Sequence, residues 1–298
     1  MARAELWEPK ARIEADFRRA LLEIAKQIVM RIGQTDDPRL IRITLDHLSR
    51  SPEFVRFSQA AALKMVTGLF ADQGRTWREV ARHNMKGRMI YEALRNELRG
   101  AQGRRLRQLV ETVSYRSVTL PQDVGQDVAE YVARESLKGR RASDIAEEIR
   151  ELFPARTRAR AALIARTQTS MTTTDLTRAR CEKLGLDWYV WRPVGGASGD
   201  GRTRNSHRHM AGVLVNWNDP PAPEDLFPIH RKDGKPYRNT LGHYHAGQCP
   251  NCRCYPEPII DLSQISWPAR VYHNGSISRM SKRTFERMAM PVESILRG

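Results

Sequence analysis

The sequence predicts an α+β protein in which a mostly helical N-terminal domain precedes a small, loop-rich, metal-stapled C-terminal domain containing short β-strands. Three observations carry this. Apolar residues recur at steps of three and four through the first half of the 298 residues, the marker of helices with one buried stripe. From Trp188 the composition turns to aromatic and branched residues in short runs bounded by glycine and proline, the marker of strands and turns. Three of the four cysteines fall between Cys249 and Cys254, in a segment that no apolar periodicity requires.

The helices come first. Ile13, Phe17, Leu21, Ile24, Ile28 and Ile32 line one stripe of a long helix whose other face carries Arg12, Glu14, Arg18, Arg19, Glu23 and Lys26. Pro38 permits a new start, and Ser51 and Pro52 form a cap and first turn. Gly68 and Gly74 read as punctuation before Trp77, Val80 and a segment ending near Gly100. Further helices are expected from Pro121 to Leu137, from Ser143 to Leu152, and from a start at Pro154 towards a stop at Gly185. Trp77, Met85 and Met89, at helical spacing, are assigned to the core.

Strands are expected from Trp188, from Val213 to Trp217 and from Pro256 to Ile260, with a flexible turn over Gly195–Gly201. The stretch from Pro220 to Gly247 is too polar to build a core unaided, so a bound metal is expected to staple it. The expected division is a helical domain over 1–120, a helical linker over 121–187, the β- and loop-rich domain over 188–262 and a basic tail over 263–298. Arg279, Lys282, Arg283 and Arg287 lie in that tail, which is read as a short helix or as an arm reaching a partner.

Thiolates are strong ligands for tetrahedral zinc, and a neutral imidazole completes such a shell. The close spacing of Cys249, Cys252 and Cys254 favours a metal over disulfides, and the start of the chain lacks the apolar core of a secretion signal. The expected ligands of one structural Zn(2+) are His207, Cys249, Cys252 and Cys254, with His209, His243 and His245 as alternatives for the histidine position.

A formal net charge of +16 and a pI of about 10.2 point to a polyanionic partner. DNA, RNA and an anionic membrane surface all qualify, although no run approaches the ~18 apolar residues of a membrane span, and double-stranded DNA would be bound through its phosphates without sequence preference.

One ordered set of residues is more specific than any of these features. It comprises Ile164-Ala165-Arg166-Thr167-Gln168-Thr169, Gly185, Trp191, Asp200-Gly201-Arg202-Thr203-Arg204-Asn205-Ser206-His207, Gly212 and Asn251-Cys252-Arg253-Cys254. It resembles the Mu F-like phage head morphogenesis family, the minor head proteins, with the linker 121–187 as the start of that domain. The resemblance implies a non-enzymatic virion component of a tailed phage, assembled in the host cytoplasm and held inside the head near the portal. Its implied partners are the portal, the major capsid or scaffold protein, and packaged DNA. Gln168 and Gly201 depart from the family, which usually carries acidic residues there.

Arg166, Asp200, Arg202 and Arg204 are read as a buried ion-pair network shaping the loop before His207, since buried charges persist when paired. The alternative is a zinc-dependent nucleic-acid-processing or group-transfer enzyme using Asp200 and His207, although the H-x-E signature of zinc deaminases is absent. The N-terminal stripe, with Leu6 and Trp7, is read as a docking surface for the portal or another head protein, or else as a wall of the core.

Overall fold

In a computed structural model, residues 6–35, 37–95, 97–196, 199, 201–228 and 240–289 are described. The helices in chain order are α1 (Ala11–Ile32), α2 (Pro38–Arg50), α3 (Pro52–Arg82), α4 (Gly87–Arg95), α5 (Ala101–Val118), α6 (Leu120–Leu137) and α7 (Ala142–Leu184). Five strands follow, β1 (Trp188–Arg192), β2 (Leu214–Asn216), β3 (Tyr255–Pro258), β4 (Ala269–His273) and β5 (Ser276–Met280). Three short helices, α8 (Asn205–His209), α9 (Pro223–Leu226) and α10 (Lys282–Ala289), complete the order. The α+β expectation holds. No helix among the described residues is long and apolar enough to cross a membrane.

The chain forms two compact units whose borders differ from those expected at 120, 187 and 262. A helical unit comprises residues 10–72 and 98–172, and a sheet unit comprises 1–9, 73–97 and 173–298. Composition marks where strands begin, but α3 and α7 each contribute residues to both units, so the contact borders fall inside helices.

In the helical unit, α1 buries Phe17, Leu21, Ile24, Ile28 and Ile32, the expected stripe. At the start of α2 the Asp37 carboxylate accepts the Arg39 N–H at 2.8 Å, an N-cap. Two expected breaks are absent. Gly68 and Gly74 lie within α3, because Ala62, Met65, Val66, Leu69, Trp77 and Val80 keep a buried stripe running past them. A helical glycine costs about 1 kcal/mol, less than that burial returns. Pro154 lies inside α7 rather than starting a helix. Ile145, Ile149, Phe153, Thr157, Ala161 and Ala165, all buried at steps of four, carry α7 through the hydrogen bond that proline cannot make.

In the sheet unit the strand order is β3-β1-β2-β4-β5, antiparallel except where β2 meets β4 in parallel at Leu214 and Val271. Both faces are covered. Tyr189, Trp191, Val213, Val215 and Tyr272 join one core cluster, which contains the three clustered thiols. The alternate residues Val190, Leu214 and Val271 join another, which contains Phe285 of α10. The basic tail is therefore neither separate nor an arm as far as Ala289. The β4–β5 hairpin belongs to the sheet, turning at Asn274 (φ 47°) and Gly275 (φ 78°) with His273 paired to Ser276. Both turn residues adopt the positive φ of a two-residue hairpin.

Leu6 and Trp7 close a core instead of presenting a docking stripe. Trp7 is buried edge-on against Trp77 at 4.9 Å, and Leu6 packs beside it. Two other assignments reverse, since Met85 is 99% exposed and Met89 is also exposed, while Trp77 is core as expected.

Candidate metal centre

His207 is buried within α8, its ring 5.5 Å from Trp191 and 5.8 Å from Tyr244. The thiols arrive on a tight turn. The Cys252 N–H donates to Cys249 O at 3.2 Å with Asn251 at φ 61°, and Pro250 precedes it, the arrangement of a type II turn. The Cys254 N–H then donates to Cys252 Sγ at 3.3 Å. The preceding loop is tied to the end of α7 by Thr174, whose hydroxyl donates to Ala246 O, and by Gln248, which donates to Asp175 at 3.1 Å.

His207 Nδ1 lies 3.4 Å from Cys252 Sγ and 3.4 Å from Cys254 Sγ, and the ligand atoms of these three residues all lie within 4.8 Å of one another. Tetrahedral zinc, with bonds of about 2.3 Å to sulfur and 2.0–2.1 Å to nitrogen, requires N···S edges of about 3.5 Å. The observed edges fit. All three residues are at most 4% exposed.

Cys249 is placed differently. Its sulfur sits 3.8 Å from the opposite ring nitrogen, Nε2, and accepts a hydrogen bond from Arg204, which also donates to Pro250 O at 3.0 Å. Three of the four expected ligands thus share one position, and the fourth lies at the other edge of the imidazole. Among the alternatives, His209 stacks on Phe227 at 4.8 Å, His243 Nδ1 donates to Pro220 O at 2.8 Å, and buried His245 meets the Tyr189 hydroxyl at 3.2 Å. None of them joins the cluster.

The electrostatics favour positive charge at this point. Burial opposes the protonated imidazole of His207, but hydrogen bonds with Cys249, Cys252 and Glu224 outweigh it and hold the pKa at about 11. Burial likewise opposes the Glu224 carboxylate, yet hydrogen bonds with His207 and Tyr244 lower its pKa to about 2. The Cys249 thiol is pushed up by its hydrogen bond with Cys252 and by burial. Burial, together with the nearby Arg178 charge, lowers His245 to about 4.

The arginines of the expected network belong to both units. Arg166 pairs with Glu14 at 3.5 Å within the helical unit. Arg204 serves the Cys249 turn, Arg202 is exposed, and Asp200 lies outside the described residues. A buried ion pair of the sheet unit is formed by other residues. Arg180 grips Glu97 through two hydrogen bonds, at 2.9 and 3.1 Å, and Gln73 through a third at 2.9 Å. Arg279 on β5 and Lys282, Arg283 and Arg287 on α10 are exposed, with Lys282 3.8 Å from Glu286. Phe285 anchors α10 against Trp188 and Trp267.

Residues 126–256 match the family model described as phage Mu protein F like protein. An uncharacterised protein of Haemophilus influenzae is 32% identical over 133 residues, which are 45% of this chain and 24% of that relative. The chain therefore covers less than two thirds of the length of the curated relative it matches. No solved structure matches the chain. The family match runs from α6 to β3 and takes in the whole Cys/His cluster.

Proposed function

We propose that this chain, whose residues 126–256 match the phage Mu protein F like family model, is a minor head protein of a tailed phage, acting in head morphogenesis from inside the head near the portal. Its partners on this reading are the portal protein, the major capsid or scaffold protein, and packaged DNA. The observation that carries the reading is the buried cluster of His207, Cys252 and Cys254 within the matched segment, which has the edges of a tetrahedral zinc site.

The role assigned to zinc is structural. It holds together the loops between β1 and β3, whose strands are too short to secure them. Cys249 is the fourth ligand on this reading, turning its thiol from Arg204 toward the position beside Cys252. A catalytic zinc keeps a coordination position open to substrate, whereas these ligands are nearly inaccessible, and that favours the structural role over an enzyme using Asp200 and His207. Metal analysis of the purified chain tests this. One zinc per chain is expected, falling sharply in Cys252→Ser, and well under one in the unaltered chain removes the reading.

Duplex DNA binding rests on the +16 charge and on the exposed Arg279, Lys282, Arg283 and Arg287. With several phosphates neutralised, affinity should fall roughly a thousandfold or more between 50 and 200 mM salt and depend little on sequence. Fluorescence anisotropy on unrelated duplexes measures both. Binding that ignores salt contradicts the proposal.

A further inference from the structure

The two nitrogens of His207 face different chemistry, and the difference settles where a proton must sit. On one side, Nδ1 looks at the sulfurs of Cys252 and Cys254, each at 3.4 Å. On the other, Nε2 lies 2.8 Å from the Tyr244 hydroxyl, 3.7 Å from Glu224 Oε1 and 3.8 Å from Cys249 Sγ. The Tyr244 hydroxyl in turn lies 2.9 and 2.7 Å from the two Glu224 oxygens.

An ionised carboxylate only accepts hydrogen bonds, so the single proton of the Tyr244 hydroxyl is committed to Glu224. The tyrosine oxygen can then meet Nε2 only as an acceptor, so when the cationic ring gives up one proton to become a ligand, the proton it keeps is the one on Nε2. The lone pair of that tautomer is on Nδ1, facing the two sulfurs. Ser206 donates to Glu224 Oε1 at 3.2 Å and helps fix the carboxylate, while the Tyr244 N–H donates to Pro221 O at 3.0 Å and fixes the ring.

The geometry points to Nδ1 of His207 as the ligating nitrogen and to Tyr244 and Glu224 as positioning residues, linked Nε2–H to Tyr244 to Glu224, that hold the ring ready for the metal. This rests on the zinc reading above. The two residues touch no metal themselves. They act by fixing the tautomer and orientation of a ligand, a role whose loss typically costs 10–100-fold in metal affinity.

The test uses the full chain loaded with zinc and labelled with 15N-histidine. Ring 15N shifts identify the metal-bound nitrogen, and competition with a chromophoric chelator gives the affinity. In the unaltered chain, Nδ1 of one histidine should be metal-bound and its Nε2 protonated. Tyr244→Phe and Glu224→Gln should each weaken zinc binding about 10–100-fold, and Glu224→Asp should recover part of the loss. Glu224 is only partly buried, so Glu224→Gln remains informative if Tyr244→Phe does not fold. Zinc bound through Nε2, or unchanged affinity in Glu224→Gln, overturns the inference while leaving the zinc reading standing. Absence of zinc from the unaltered chain overturns both.

Discussion

In the helical unit, residues that meet in the core are already neighbours on one face of one helix. In the sheet unit they come from far apart in the chain. Leu21, Ile24 and Ile28 are set beside one another by two turns of α1, and Ile145, Ile149 and Phe153 by α7. His207 meets Cys252 across 45 residues, and Arg180 meets Glu97 across 83. Local periodicity prepares each face of the first kind of core, and packing of helices such as α2 and α6 closes it. The second kind is made of strands of three to five residues and must be cross-linked by polar groups or a metal.

On the zinc reading, this contrast breaks most visibly on removal of the metal. Chelation, or Cys252→Ser, should remove on the order of 10 kcal/mol from the sheet unit and little from the helical unit. Hydrogen exchange should then show amides of β1 to β3 losing protection while those of α1 and α2 keep theirs. Equal loss in both units would mean that the two kinds of core are not independent. The converse experiment is Leu21→Ala, which empties a fully buried position in α1 and should cost about 2–5 kcal/mol of helical-unit stability without changing zinc content.

A smaller effect sharpens the comparison within the sheet unit. His245 is buried and neutral, with its pKa lowered to about 4 from 6.5. The unfolded chain therefore takes up a proton that the folded chain refuses, so the associated stability is complete above pH 6.5 and is lost as the pH falls toward 4. Between pH 7 and 5 this amounts to about 2 kcal/mol. The difference in unfolding free energy between the unaltered chain and His245→Gln, followed over that range, isolates it from protonation of the thiols. A difference that stays flat with pH would show that His245 does not carry the effect.

The helices were legible because their signal is repeated. Six stripe residues in α1 and six in α7 outweigh any single breaker, and for that reason Gly68, Gly74 and Pro154 misled when read singly. The Cys/His cluster was legible in part, since the thiols announce themselves by spacing and His207 by its motif. Tyr244 and Glu224 have no such spacing, and only the fold brings them to the far edge of the imidazole. The β4–β5 hairpin was a missed signal rather than an absent one. Asn274-Gly275 is a strong two-residue turn, but the positive charge around it drew the segment into a tail.

The two prolines of β3 have a further consequence. Ile259 N–H donates to Trp188 O on β1, so by alternation Glu257 also faces β1 while Pro256 and Pro258 occupy the outward positions of this edge strand. Proline has no N–H to offer, and the outer edge of β3 therefore presents no donors at those positions to another chain's strand. The sheet is protected on that side against edge-to-edge aggregation, a hazard that grows with local concentration wherever many protein chains are gathered into one particle.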